Sequence, residues 1–357
     1  MVNLYVLDSS FNVIGVIDSY ASLIWRPSYS EVGDFELYVG VTKELVDLLK
    51  VNRYLVRDTD VYVDAQGKAT YTKVMIIKNH DLATSTEIGD YLTVTGRELK
   101  FILHQRIVWT QTNLTGTAEN AIRTLVTQNA INPTDVKRKI PNLVLGDSAN
   151  LTDTIEKQIS NDPLDVVITD ICQNYEYGWD ISVYDGEMIL TVYEGIDRSF
   201  DQNVIPYVVF SDSFENLYNT DYQLKTEDYA NCTLVGGEGE GTARRFATVG
   251  GEKTGLDRFE TFTNASDVSS NNGQIGTSQY TQLLQEKGNE ALSQLNFTEG
   301  FSGEVLSDVA FKYGEDFDLG DLVTVINEYG ISKNVRVLSA IESEDATGTK
   351  LLPQFNI

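Results

Sequence analysis

Four glycines in six positions, Gly236, Gly237, Gly239 and Gly241 of "GGEGEGTARR" (236–245), are the residues that most invite a chemical reading. Glycine-rich turns cradle phosphate by aiming backbone N–H groups at the anion where a helix begins, and a Lys or Ser/Thr completes the site. Here the spacing is not G-x-G-x-x-G, no Gly-Lys-Ser/Thr follows, and Glu238 and Glu240 would repel phosphate. The next residues, "TARRFATVGG", carry no helical period. The stretch therefore reads as a flexible exit from a strand, where glycine permits positive φ. No cofactor is expected.

Other groups fail in similar ways. "GDSAN" (146–150) is similar to the nucleophile block of a Gly-Asp-Ser hydrolase family, but His80 and His104 both lie upstream, whereas that family's catalytic His lies near its C-terminus. Asp58, Asp60 and Asp64 begin like a calcium loop, yet Tyr62 occupies a ligand position and no Glu closes the loop. Asp316, Asp318 and Asp321 in "EDFDLGD" read as a turn leading into the strand "LVTVI". Cys172 and Cys232 cannot build a disulfide framework or a four-ligand zinc site, and there is no H-E-x-x-H. No catalytic or metal-binding residue is assigned. A pair of glycosidase carboxylates is left open, because spacing along a chain sets no distance. Trp25, Trp109 and Trp179 offer stacking platforms for sugars, but their strand contexts read as core.

The elements that would position any site are mostly strands. The 357 residues exceed one core, and 19 Tyr with 14 Phe favour pleated structure. A net charge of −26 repels nucleic acid and anionic membrane at long range. "MVNLYVLDSS" lacks the basic flank and apolar run of a signal peptide, and no segment approaches the ~20 apolar residues of a membrane span, so no membrane insertion is expected.

In "DFELYV", Phe35, Leu37 and Val39 alternate with Glu36 and Tyr38, which predicts one buried face. Helices are predicted at "TKELVDLLK" with Thr42 as cap, at "TAENAIRTLVTQNA" with Thr117 as cap, and at "DPLDVVITDICQNY" with Asp162 as cap and Pro163 first. A fourth fits "SQYTQLLQEKGNEALSQL", weakened by Gly288. "TNASDVSSNNGQIGTS" reads as a mobile loop, and Asp185-Gly186 as a hairpin turn. The later strands are "FSGEVLSDVAF", "DLVTVINEYG" and "KNVRVLSAIES".

The expected fold is mainly β with α+β parts. It comprises a small antiparallel β-barrel or sandwich over 1–108, read as a β-barrel, an α+β domain over 109–207, and a second barrel from 208–242 and 297–345. A loop–helix insertion fills 243–296, and a tail follows at 346–357.

"LIWRPSYSEVGDFELYV" resembles the N-terminal signature of the siphophage tail-tip, or baseplate hub, family, through Trp25, Arg26, Gly33, Asp34, Phe35, Glu36 and Leu37. "VTGRELKFILHQR" resembles the end of that family's first barrel, and the Gly237–Gly239–Gly241 stretch the exit from its second, so these glycines look like a hinge. "FDLGDLVTVINEYGISKNVRVLSAIES", with Gly320-Asp321 before a strand, resembles its last hairpin. The resemblance implies a non-enzymatic homotrimer in the virion, assembled in the host cytoplasm. Two barrels per copy would join the sixfold tail tube or distal tail protein ring to receptor-binding and other tip proteins. DNA would pass through without being bound. A cell-wall-degrading tail enzyme and a carbohydrate-binding adhesion module are the alternatives.

Overall fold

The computed structural model describes residues 2–84, 89–296, 298–305 and 311–356. Period-two alternation gives its first sheet two buried faces. Leu55 and Met75 point into one core and their neighbours Val56 and Ile76 into another. The first core gathers Trp25, Phe35, Leu37 and Val94. The second is shared with the middle of the chain, where Leu103 and Val108 meet Ile122, Ile168, Trp179 and Leu190.

The mainly β class with α+β parts is as expected. The strands, however, are not closed into barrels. One 13-stranded sheet runs from Leu217–Lys225 at one end to Val13–Ile17 at the other. Its longest described strand is the 14-residue Ser332–Asp345. The first half of that strand pairs with Leu322–Ile326, and its last residues pair with Ser22–Arg26, Glu342 lying opposite Trp25. The edge of Ser22–Arg26 that would have closed a first barrel is thereby used to join the two thirds of the chain. Residues 348–356, expected within a tail, form a strand paired along Ser332–Asp345. Of the strand expected at 301–311, residues 301–305 are extended and 306–310 lie outside the described residues.

Among the described residues four α-helices complete the fold: α1 (Lys43–Leu48), α2 (Ala118–Val126), α3 (Leu164–Asn174) and α4 (Thr277–Gln294). Thr42 and Thr117 cap as expected, each accepting a backbone N–H three residues on. α3 begins one residue later than predicted: Pro163 itself is the cap residue, with no side-chain cap bond. Cys172 lies fully in the core, where burial pushes its thiol up.

α4 packs on a three-stranded sheet formed by Cys232–Gly236, Phe246–Gly250 and Glu260–Asn264. Two of these strands fall in the stretch expected to be loop and helix. In "FATVG" only Ala247 and Val249 pack inward, and "ETFTN" is polar but for Phe262, so two five-residue strands give little periodic signal. Residues 263–278, read as a mobile loop, are packed through Val268 and Ile275.

Gly288 has a packing role that its helix propensity conceals. A Cβ there would lie 2.5 Å from Val249 Cγ2 and 2.8 Å from Val235 Cγ2, both on stiff β-branched side chains. In an open helix Gly→Ala gains about 1 kcal/mol. Here Gly288→Ala is expected to cost about 1–3 kcal/mol by overpacking, read as a lower midpoint in urea denaturation.

Candidate functional site

The signature residues cluster at a joint between three parts of the chain. Arg26 and Asp34 face each other on adjacent strands and form a two-point ion pair, Nε to Oδ1 at 3.1 Å and Nη2 to Oδ2. Trp25 and Phe35 pack beside them with ring centroids 5.7 Å apart, both buried. The connecting residues 27–33 carry no regular period and are held by separate parts of the chain, Tyr29 N by Leu338 O, Ser28 O by Lys100 and Ser30 O by Trp179.

Tyr29 is the centre of the joint. Its N–H donates to Leu338 O at 2.7 Å, and its carbonyl accepts from Trp179 N at 3.2 Å. Its hydroxyl donates to Glu176 O at 2.9 Å and accepts from Gly195 N at 2.9 Å. Burial pushes that phenol up to about 12. Glycines make room for the ring: a Cβ on Gly178 or on Gly320 would lie 2.2 Å from Tyr29 Cε2. Gly320 also has φ +87°, a conformation side chains rarely adopt. Next to it, Asp321 is buried and accepts from Ile196 N at 2.8 Å, Arg198 Nε at 2.8 Å and Asp318 N at 3.0 Å.

Under the loop lies a buried ion pair. Lys100 Nζ is 3.0 Å from Glu98 Oε2 and donates to Ser28 O at 2.5 Å. The same carboxylate oxygen accepts from Gly33 N at 2.6 Å. Burial pushes the Glu98 and Asp180 carboxyls up, and the Lys100 charge opposes the shift in both. Trp179 Nε1 donates to Ser30 O at 2.7 Å, and Thr169 Oγ1 to the same carbonyl at 3.1 Å. Gly33 has an ordinary φ, so a glycine-only conformation is not its reason for being there. A Cβ on it would lie 2.0 Å from Arg26 O and 2.9 Å from Glu98 Oε2. Gly33→Val is expected to cost at least about 3 kcal/mol, because the obstruction is backbone, and to appear as a lowered Tm with aggregation.

A cavity of about 390 Å³ opens on this joint, lined by Tyr29, Glu31, Gln173, Glu176, Arg336 and Gln354 among others. Arg336 bridges it, donating to Glu176 Oε2 at 2.5 Å and to Gly320 O at 2.7 Å. Among its lining groups Cys172 is buried with its thiol pushed up, Ser28 Oγ donates to Leu338 O at 3.4 Å and Ser339 Oγ to Gln354 Oε1 at 2.6 Å. The arrangement serves to lock three cores together.

The other sequence-marked groups are not brought to this place. Gly236–Arg245 is a hairpin loop inside the three-stranded sheet, closed by Gly237 N to Arg245 O at 2.8 Å and Arg245 N to Glu238 O at 3.0 Å. It is therefore no hinge. Its shape requires Gly239 and Gly241, with φ +97° and +55°, while a Cβ on Gly237 would meet Tyr280 Oη at 2.4 Å. Ser148 Oγ accepts from Asn150 N in a turn, and His104 bonds Asp165 at 2.9 Å. Asp60 is buried against Arg57, and Asp64 accepts from Gln66 N and Lys68 N. Asp316 accepts from Lys312 N. Among the described residues no His/Cys/Asp/Glu cluster is arranged for a metal ion, and no helix is long and apolar enough to cross a membrane. Trp25 and Trp179 are core residues as read, but Trp109 is 58% exposed.

A family model described as Siphovirus ReqiPepy6 Gp37-like protein matches residues 3–355. The chain belongs to this siphovirus family. The siphophage tail resemblance read from Trp25–Leu37 is thus borne out at family level. No curated protein matches the sequence. Solved tail proteins share the fold of this family member over nearly their whole length. The tail protein from Neisseria meningitidis MC58 has a TM-score of 0.61 at 15% identity, covering 100% of this chain and 96% of that one. The 43 kDa tail protein of prophage MuSo2 from Shewanella oneidensis has 0.58 at 10%, covering 99% and 98%. Prophage tail protein gp18 from Listeria monocytogenes EGD-e has 0.51 at 12%, covering 99% and 94%. At such identities the likeness is one of fold.

Tyr29, Glu98 and Lys100 lie within the two family-like segments but were not singled out there, and Gly178 and Gly195 were not marked. "PSYSEV" offers no period, and Lys100 stands between Leu99 and Phe101 like any surface lysine.

Proposed function

We propose that this siphovirus Gp37-like chain is a non-enzymatic hub at the tip of the phage tail. Three copies form a ring around a channel and join a sixfold tail tube or distal tail ring to threefold tip components. The observation that carries the reading is the joint at Tyr29, which locks the first, middle and last thirds of the chain into one load-transmitting body. The side chains there are used for packing and hydrogen bonding, and a continuous sheet links the two ends. Each copy offers two halves of that sheet, so three copies present six units to a sixfold neighbour. The charge of −26 per copy suits a channel that DNA crosses without binding, since a basic lining would hold phosphates by counterion release.

The test is the mass and image of the purified full chain. A closed three-copy ring with an open centre is the expected result. A monomer at every concentration, or a closed twofold dimer, would reject the ring.

A further inference from the structure

The chain is strongly acidic, yet one face of it is basic and apolar. Trp109 is 58% exposed, Val136 is 78% exposed, and Ile107 is exposed beside them. The Arg138 guanidinium lies 4.2 Å from the Trp109 ring centroid and donates to Ile107 O at 2.5 Å; Arg106 Nε donates to Arg138 O. Among the described residues none of Arg106, Lys137, Arg138 and Lys139 forms a contact ion pair, the Asp135 charge acting on Arg138 only from farther off. The neighbouring Asp135 carboxylate accepts the backbone N–H of Lys137 at 3.0 Å. With 53 acidic residues available to 27 basic ones, four unpaired cations around an exposed Trp point to a partner that supplies the carboxylates. Arg and Trp are also the side chains that dominate the centres of protein interfaces.

A surface of opposite character lies on another core of the same chain. Phe200, Val204, Tyr207 and Phe214 are all exposed, Val204 at 87%. Phe200, Tyr207 and Phe214 line a groove of about 400 Å³, with Asp201 and Lys333 on its rim. Asp212 and Glu215, exposed on either side of Phe214, add two more carboxylates. The first surface borders the core of Val108 and Ile140, and the second that of Val208 and Phe210.

We infer that the basic Trp109 surface of one copy docks on the acidic Phe200–Phe214 groove of a second copy, head to tail. Apolar side chains then meet apolar side chains, and opposite charges surround them. A contact between unlike surfaces propagates in one direction and closes into a ring when the rotation allows. This inference rests on the three-copy reading above and names the surfaces that make it. Nucleic acid is a poorer occupant, because the whole chain repels it and Val136 and Ile107 offer phosphate nothing.

The test uses two full-length variants, Trp109→Ala/Lys137→Glu/Lys139→Glu and Asp212→Lys/Phe214→Lys. All five side chains are exposed, so retained folding can be checked by circular dichroism and Tm. By native mass spectrometry the wild type should be a trimer, and each variant alone a 39.8 kDa monomer. Their equimolar mixture should form a 1:1 dimer and nothing larger, since one intact surface of each kind remains. Trimeric variants beside a trimeric wild type, dissociation of only one variant, or a mixture that stays monomeric would overturn the contact and leave the ring intact. A monomeric wild type would instead reject the ring reading itself. Duplex-DNA binding at low salt that is lost in the Trp109 variant would also overturn the inference, in favour of a polyanion.

Discussion

Lys100→Met should destabilise the chain by about 3–5 kcal/mol at neutral pH, although no part of that lysine reaches the surface. Its ammonium is 3.0 Å from Glu98 Oε2 and also opposes the upward push that burial gives Asp180. Removing it leaves the buried Glu98 carboxylate without its cation and Ser28 O without its donor, and Asp180 with Lys73 as the cation still opposing the push of burial. The loss should depend on pH in a definite direction. Burial holds the folded Glu98 carboxyl above its ordinary value of 4.5, so the protonated form is favoured by folding. Stability from such a group is fully present below the unfolded value and is lost as pH rises through the folded one. The difference between variant and wild type should therefore be smaller at pH 5 than at pH 7.5 in urea denaturation. A difference that grows on acidification would mean that Glu98 and Asp180 do not depend on Lys100.

Phe35→Asp should remove the first core. Phe35 is buried against Trp25, and the absence of a side chain on Gly96 lets its ring lie there, since a Cβ on Gly96 would be 2.6 Å from Phe35 Cε1. Deleting a buried Phe costs about 3–5 kcal/mol. An unpaired carboxylate in its place adds several kcal/mol more. The nearby cation is already engaged: Arg57, over the Trp25 ring, pairs with Asp60 and Glu342. The cooperative unfolding transition should disappear, whereas Phe35→Leu should lose only about 1–2 kcal/mol. An unchanged Tm in Phe35→Asp would contradict the two-faced sheet.

The local parts of this fold were legible because they depend on neighbours in sequence. Thr42 and Thr117 cap helices by reaching three residues ahead, and Asp185-Gly186 turns a hairpin with φ +50° and +80°. Phe35, Leu37 and Val39 alternate into the core as their spacing requires. The joint was half legible. Trp25, Arg26, Gly33, Asp34 and Gly320 stood out by resemblance, yet the socket around Tyr29 brings together glycines at 178, 195 and 320 that no spacing connects. The barrels were misread for a related reason. Alternation predicts a strand and its buried face, but not which strand lies beside it. Ser22–Arg26 meets a partner more than 300 positions away, so the sheet continues where a barrel was expected to close. The glycine-rich stretch was misread because positive φ serves a tight hairpin as well as it serves a hinge.

The central claim is that this Gp37-like chain is built into the tail tip. Immunogold labelling of intact particles, using antibodies raised against the purified chain, tests it most directly. The account predicts gold confined to the distal end of the tail, blocked by excess soluble chain. Gold on the head or along the tail shaft, or its absence from particles that infect normally, would contradict it.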